Sequence, residues 1–177
     1  MAQIIAKRYA YALFDVAKQH DKVKEYYEEL NKAIEIIRIE EVKKIFKNKS
    51  INKAQKIKFM EQVLAGIDKD ILNFIKVVIS KHREDLIEDI EEQFQNLYKE
   101  YFKIVDAKVV SAYPLKESTI QKLKNSLESK LGKHVNIEPI VDKSILGGLK
   151  LIIGNTIIDG SVKARLTALL KNMQQAV

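Results

Sequence analysis

The sequence predicts a mainly α-helical protein in which a six-helix bundle, residues 1–104, precedes a small α/β domain, residues 105–177. Two observations predict this division. Through the first hundred residues, apolar side chains recur every three or four positions, which is the period of an amphipathic helix. Near residue 105 this pattern gives way to short β-branched runs punctuated by glycine, which are typical of strands and tight turns.

The first and fifth helices carry more apolar surface than one core face needs. One apolar stripe of the first helix repeats at spacings of 4, 3 and 4: Ile5, Tyr9, Ala12 and Val16. A second stripe runs beside it: Ala6, Ala10, Leu13 and Ala17. The fifth helix, DILNFIKVVIS, is apolar nearly all the way round, so that Val77 and Ile79 point away from the face that carries Ile71 and Ile75. Such helices are either buried on all sides or docked by a partner helix in a groove, and the pattern leaves both readings open.

Polar residues mark the starts of the other helices. We expect the side chains of Asp21, Asn52 and Asp68 to accept hydrogen bonds from a first helical turn, since they precede the second, fourth and fifth helices. The second helix then places Tyr27 on its apolar stripe. The sixth helix, about residues 84–103, begins with acidic turns and ends with lysines, which complements the helix dipole.

The C-terminal part follows the order β-α-β-β-β-α. Its first strand lies in residues 105–112, and Pro139 predicts that the second strand is an edge strand, because proline has no N–H to donate. Gly154-Asn155 separates LKLII from TIID and predicts a two-residue hairpin. Either Asp159 or Ser161 caps the last helix.

Four glycines of this part invite a second interpretation as a phosphate cradle. Their spacing matches neither the dinucleotide fingerprint nor the P-loop. We interpret them instead as two bends, a hairpin turn and a helix entry, where the backbone adopts unusual φ angles. They are Gly147, Gly148, Gly154 and Gly160.

Composition excludes several classes of protein. The chain has 177 residues and no cysteine, which excludes disulfides, thiolate zinc sites and cysteine nucleophiles. No apolar stretch approaches the roughly 20 residues that span a bilayer, and the charged N-terminus is expected to be folded structure, not a signal peptide. The net charge of +7 is uneven, with +5 in residues 105–177. That excess suggests an acidic partner, nucleic acid or an anionic membrane field, and equally a solvated surface.

The sequence predicts no catalytic, cofactor or metal site. None of His20, His82 and His134 has a second histidine or a carboxylate at ligand spacing on an apolar face. We expect the carboxylates of residues 84–92 to lie on the polar face of an amphipathic helix and to be solvated. We therefore expect a binding protein without a cofactor.

A lysine run provides the alternative hypothesis. Residues 43–58 contain seven lysines and no acid, a composition that favours phosphate binding. Few aromatic residues interleave with these lysines, and no recognisable nucleic-acid-binding module surrounds them. A basic nucleic-acid-binding protein therefore remains the second interpretation.

Two segments carry long motifs at fixed spacing, KRYAYALFDVA over residues 7–17 and VDKSILGGLKLIIGNTIIDGSVKARL over residues 141–166. Both resemble the delta subunit of bacterial F-type ATP synthase, a relative of the mitochondrial oligomycin sensitivity-conferring protein, and the resemblance covers nearly the whole chain. The motif positions near the C-terminus are Asp142, Gly147, Gly148, Gly154, Asp159, Gly160, Ser161 and Arg165.

The resemblance implies a non-catalytic stator subunit, which holds the catalytic head to the peripheral stalk while the rotor turns. It implies that an N-terminal helix of an alpha subunit docks between the first and fifth helices, at Tyr9, Ala12 and Val77. It implies further that the C-terminal domain binds the ends of the b subunits, at the cytoplasmic face of the bacterial inner membrane. Contact with the membrane is then indirect, and no nucleic acid is involved.

The chain departs from the family at the end of the fifth helix. Relatives often have Asn-Gly-Arg there, whereas this chain has Lys81, His82 and Arg83, so that only the arginine is kept. Tyr11 also stands where many relatives carry a charged residue. The cap of the fifth helix, and any contact that it makes, therefore differ from the family pattern.

Overall fold

The computed structural model describes the backbone of residues 2–175 and the side chains of that range except residue 170 and residues 172–175. The fold is mostly helical with one small four-stranded sheet, which confirms the predicted fold class. The chain divides into two compact units between Glu100 and Tyr101. None of the helices within residues 2–175 combines the length and the apolar character needed to cross a bilayer.

The N-terminal unit is a helical bundle. A 3₁₀ turn, Glu84–Leu86, comes before the last of its helices, so the long sixth helix of the sequence pattern begins with a tighter turn. The helices are α1 (Ala2–Gln19), α2 (Val23–Arg38), α3 (Glu40–Lys47), α4 (Lys53–Val63), α5 (Lys69–Ser80) and α6 (Ile87–Tyr101).

Two of the three expected N-caps are present. The Asn52 side chain accepts a hydrogen bond from the N–H of Ala54 at 2.9 Å, at the start of α4. The Asp68 side chain accepts one from the N–H of Asp70 at 2.8 Å, at the start of α5. These bonds satisfy N–H groups that a first helical turn leaves without a backbone partner.

The expected cap at Asp21 is wrong. Asp21 has a φ of 55°, in the left-handed region, and the residue before α2 is Lys22, which makes no side-chain capping bond. The N–H of Lys22 instead donates to the carbonyl of Ala17 at 2.9 Å. Asp21 therefore belongs to the left-handed turn that ends α1.

The bundle core is one continuous cluster of apolar side chains from all six helices. The rings of Phe14 and Phe94 meet edge to face within it, with centroids 5.7 Å apart. Each fully buried large side chain contributes about 1.5–3 kcal/mol through removal from water. The largest fully buried side chains include Tyr26, Phe46, Phe94, Leu30, Ile34, Met60 and Ile75.

The C-terminal unit has the predicted element order. Its sheet has the order β2-β1-β3-β4, in which β1 is parallel to β2 and antiparallel to β3, and β3 and β4 form a hairpin. Pro139 lies in the edge strand β2, as the sequence predicts. The elements are β1 (Ile104–Ser111), α7 (Glu117–Leu131), β2 (His134–Val141), β3 (Leu149–Ile153), β4 (Thr156–Asp159) and α8 (Val162–Gln175).

Candidate functional site: partner-binding surfaces

Helices α1 and α5 lie side by side and run in opposite directions. The Tyr9 ring on α1 meets the Phe74 ring on α5 edge to face, with centroids 6.3 Å apart. Just beyond the end of α1, His20 Nδ1 lies 3.4 Å from Oδ2 of Asp70, near the start of α5. We call the face that the two helices share the α1–α5 surface, and its residues are Ile5, Tyr9, Ala12 and Val16 on α1 and Phe74 and Val77 on α5.

The apolar side chains of the α1–α5 surface lie at the edge of the core or outside it. Val16 is 38% exposed and Val77 is 48% exposed. Ala12 is also exposed, whereas Tyr9 and Phe74 are half-buried against each other. The core side of α1 is a different stripe, made of Ala6, Ala10, Leu13, Phe14 and Ala17.

The apolar excess of α5 is smaller than its sequence pattern suggests. Ile79, which the pattern turns away from the core, is fully buried with Ile71 and Ile75. Phe74 is half-buried, and Val77 remains exposed. Of the apolar side chains that the pattern turns away from the core, Ile79 is therefore buried in it, whereas Val77 is exposed at the surface.

A polar cluster joins three helices at one end of this surface. The Tyr26 hydroxyl on α2 donates a hydrogen bond to the Asp70 carboxylate, and His20 Nδ1 lies 2.8 Å from the same hydroxyl. Burial raises the pKa of Tyr26, and the hydrogen bond to Asp70 raises it further. The phenol therefore stays protonated and holds the start of α5 against α2. The sequence pattern missed Tyr26, because it placed Tyr27 on the apolar stripe of α2.

The lysine run of residues 43–58 faces the acidic segment that begins α6. Lys56 Nζ lies 2.6 Å from Oε1 of Glu84, and both side chains are almost completely buried. The expectation of solvated carboxylates is therefore wrong for Glu84, and also for Glu91, which is buried. Hydrogen bonds from the lysines, first Lys47, lower the pKa of the Glu88 carboxyl. The ion pairs are Lys43 and Lys47 with Glu88, Lys49 with Asp85, and Lys56 with Glu84. Much of the positive charge that suggested a phosphate-binding patch is thus neutralised within the fold.

The acidic residues of the C-terminal motif cap short turns and the last helix. Asp142 Oδ1 accepts a hydrogen bond from the N–H of Ser144 at 2.9 Å, which lowers the pKa of Asp142. Asp159 Oδ1 accepts one from the N–H of Ser161 at 2.9 Å, and hydrogen bonds from Ser161 lower the pKa of Asp159. Ser161 Oγ in turn accepts from the N–H of Ala164 at 3.1 Å, so Ser161 is the N-cap of α8.

The glycines of the motif allow two backbone segments to come together. The N–H of Gly160 donates to the carbonyl of Leu149 at 2.9 Å, and the N–H of Val162 donates to that of Gly147 at 3.0 Å. Gly148 has a φ of +77°, and a Cβ added there would lie 2.4 Å from the carbonyl oxygen of Gly160. This part of the motif therefore fixes the entry of the chain into α8.

The outer face of α8 is apolar and exposed. Val162, Leu166 and Leu169 are 43%, 49% and 59% exposed, and their spacing of 4 and 3 places them on one side of the helix. We call these three residues the α8 surface. Lys163 and Arg165 stand beside this stripe, and both are exposed. The other motif glycine, Gly154, sits in the β3–β4 turn, where φ is +55°.

The described residues therefore include an exposed apolar surface on each unit. The three histidines occupy helix or strand ends, where His82 has a φ of 53° and His134 Nδ1 lies 3.9 Å from Glu128. Across residues 2–175, no group of three or more acidic or histidine side chains is placed to hold a metal ion. Exposed apolar stripes of this kind are suited to binding protein partners.

Comparison with known proteins gives a consistent answer. The family model for the ATP synthase delta (OSCP) subunit matches residues 5–173. ATP synthase subunit delta of Caldanaerobacter subterraneus subsp. tengcongensis is 65% identical over 177 residues and covers 100% of both chains. The subunit delta of Clostridioides difficile is 33% identical over 180 residues, covering 100% of this chain and 99% of the relative.

The fold is also similar to that of a solved chain. In the cryo-EM structure of the mitochondrial ATP synthase hexamer of Toxoplasma gondii, one chain has a TM-score of 0.66 at 20% identity, covering 96% of this chain and 97% of that one. This likeness concerns the fold alone, whereas the family follows from the sequence matches. The chain therefore belongs to the ATP synthase delta (OSCP) subunit family, whose members are peripheral-stalk components of F-type ATP synthase.

Proposed function

We propose that this chain is a non-catalytic stator subunit that links the catalytic head of F-type ATP synthase to the membrane-anchored b stalk. In that position it keeps the head from turning, so that proton-driven rotation is coupled to ATP synthesis. The observation that carries the proposal is the exposed α1–α5 surface, on a bundle whose own core is already closed. A core that is complete leaves this apolar stripe available for another chain.

The partner of the α1–α5 surface is the N-terminal helix of an alpha subunit. Ala12 has a small side chain, which lets a second helix approach α1 closely, and Val77 offers exposed apolar area on α5. Tyr9 packs edge to face against Phe74, which fixes the position of its ring. An amphipathic helix laid along this stripe buries apolar area that stabilises the complex by about 25 cal/mol per Å².

The partner of the C-terminal unit is the end of the b subunits. The α8 surface supplies exposed apolar side chains, and Lys163 and Arg165 add positive charge at its side. Residues 105–177 also hold most of the net charge of the chain, +5 of +7. This combination fits an amphipathic helix with acidic side chains on its flanks.

The protein acts at the periphery of a membrane complex, and we place it on the cytoplasmic face. Its attachment runs through the b subunits and not through lipid. A nucleic-acid-binding role is not favoured, because the lysine run that suggested it is paired with Glu84, Asp85 and Glu88.

The test is the binding of a synthetic peptide that matches the first 25 or so residues of the alpha subunit from the same organism. Titration calorimetry should show saturable binding to the full chain, and Ala12→Asp should abolish it, because a carboxylate would then be buried without a partner. Ala168→Asp is the matched control, since Ala168 is an exposed helical alanine on α8, in the C-terminal unit. Unchanged binding by Ala12→Asp would refute the assignment of the surface.

A further inference from the structure

The stripe of α5 that borders the α1–α5 surface has a charged residue at each end. Asp70, Phe74, Val77 and Lys81 follow one another at spacings of 4, 3 and 4, so they lie along one side of the helix. A carboxylate thus stands at the start of the stripe, an ammonium group at its end, and two apolar side chains between them. Over these residues α5 extends about 16 Å, or three turns.

The charged residues at the two ends of the stripe, Asp70 and Lys81, differ in whether they have partners within the bundle. The Asp70 carboxylate accepts a hydrogen bond from Tyr26 and lies 3.4 Å from His20 Nδ1, so its charge is engaged within the bundle. Lys81 is exposed, and among the described residues it forms no ion pair. His82 and Arg83 follow it and are exposed too.

Cations at the end of α5 have an ordinary explanation, since they complement the negative end of the helix dipole. That need is already met by another residue: Lys53 Nζ donates to the last helical carbonyl, that of Ser80, at 2.8 Å. The backbone N–H of Lys81 also bonds the carbonyl of Val77, at 3.1 Å, which closes the helix through the main chain. The Lys81 side chain is therefore available to a partner.

We propose that the α1–α5 surface binds its helix in one direction, with the acidic first turn of that helix against Lys81 and its C-terminal end near Asp70 and His20. The docked helix then runs parallel to α1 and antiparallel to α5. This inference rests on the proposed function, because the docked helix is the alpha-subunit segment, and it adds the direction and the charge pattern of that segment.

The direction follows from the usual distribution of charge in a helix. Carboxylates are favoured in a first turn and cations in a last turn, because of the macrodipole. A helix of this kind meets Lys81 with opposite charge in the proposed direction and brings its own carboxylates towards Asp70 in the reverse direction. The side chains carry full charges, whereas each helix end carries about half a charge, so the side chains decide the direction.

Nitroxide-labelled versions of the alpha-subunit peptide test the direction with the full-length protein. A label at the first helical residue should broaden the amide NMR signals of Ile5 and Lys81, and a label at the last helical residue should broaden those of Val16 and Asp70. The opposite pattern overturns the proposed direction. Absence of any binding by the unlabelled peptide refutes the proposed function itself, so the two failures are distinguishable.

Charge variants test the role of Lys81 separately. Lys81→Gln should weaken peptide binding about threefold and Lys81→Glu about tenfold at low salt, as expected for a partly exposed ion pair. Lys58→Glu makes the same charge change on an exposed residue of α4 and should leave binding unchanged. A peptide in which the first-turn carboxylate is replaced by lysine should recover affinity for Lys81→Glu. Equal effects of Lys81→Glu and Lys58→Glu overturn the inference, and a thermal melt checks that each variant is folded.

Discussion

The two units of the chain bury their apolar side chains very differently. The N-terminal bundle has one cluster that takes in every helix and includes whole aromatic rings, such as Phe46 and Phe94. In the C-terminal unit, the described residues form two clusters of only three buried side chains each. Its larger apolar residues lie at the surface instead, among them Leu146 at 62% exposure and Ile157 at 59%.

Under the proposed function, the difference corresponds to two modes of partner binding. The bundle closes its own core and carries a narrow exposed apolar stripe beside it. The C-terminal unit leaves apolar area uncovered, so a partner that covers it adds to the stability of the unit as well as to the complex. Under the proposed function, attachment at the head would use a surface beside a closed core, and attachment at the stalk would cover apolar side chains that the C-terminal unit leaves exposed.

The largest expected effect concerns the buried ion pair of the bundle. Lys56→Met leaves the Glu84 carboxylate buried without its cation, and we expect a loss of about 3–5 kcal/mol in the free energy of unfolding. Urea denaturation followed by circular dichroism measures this loss. The matched control is Lys49→Met, which removes an exposed pair with Asp85 and should cost less than about 1 kcal/mol.

The double variant Lys56→Met with Glu84→Leu sharpens the same test. Removal of both charges should restore most of the stability, because no unpaired charge remains in the core. Equal costs for Lys56→Met and Lys49→Met would show that the bundle interior is far more hydrated than its burial indicates.

The next largest effect is a loss of stability that we expect in the C-terminal unit and not in the bundle. Gly148→Ala places a Cβ 2.4 Å from the carbonyl oxygen of Gly160 at a φ of +77°, and we expect a loss of about 3 kcal/mol confined to the C-terminal unit. Gly154→Ala is the control, since its φ is +55° but no atom lies within 4 Å of the added Cβ. It should cost about 1 kcal/mol.

Amide hydrogen exchange of the Gly148→Ala variant measures the protection of backbone amides in each unit separately. Protection should fall in β3, β4 and α8 and stay unchanged in α1 to α6. A matching loss of protection at Phe46 or Phe94 would contradict the independence of the bundle core.

Local features of the fold were predictable from the sequence. Asn52 and Asp68 cap their helices because capping depends on the side chain and the next few N–H groups. Asp21 has the same chemistry, yet its positive φ places it in the turn that ends α1, and sequence alone does not reveal that φ. Tyr26 and Tyr27 are adjacent on α2, and only the packing of α5 decides that Tyr26 is the buried one.

The candidate surfaces were predictable only in part. The stripe with Tyr9 and Ala12 is visible as one of two apolar periods on α1, but only the structure shows that this stripe lies at the edge of the core and that the stripe with Ala6 and Ala10 is buried. The lysine run and the acidic segment were both evident, but their pairing links residues far apart in the chain, such as Lys47 and Glu88. Such pairing depends on how α3, α4 and α6 pack, which the hydrophobic period does not specify.

The smallest expected effect is a difference in acid sensitivity. Hydrogen bonds lower the pKa of Asp142, Asp159 and Glu88 in the folded protein. A lowered folded pKa gives stability that is present above the ordinary carboxyl pKa of about 4 and is lost as the pH falls through the folded value. Both units should therefore weaken below about pH 4.

The small core of the C-terminal unit makes it the first to open in acid. NMR spectra recorded from pH 6 to pH 3 should lose the dispersed signals of β3, β4 and α8 before those of the bundle. Asp159→Asn keeps an acceptor oxygen for the N–H of Ser161 but does not titrate, so it should reduce the acid-induced loss in this unit. Glu88→Gln is the counterpart in the bundle and should leave the opening of the C-terminal unit unchanged. If the bundle opens first, the completeness of its core does not determine the order of unfolding, and the lysine–carboxylate pairs of α3, α4 and α6 matter more than the buried apolar cluster.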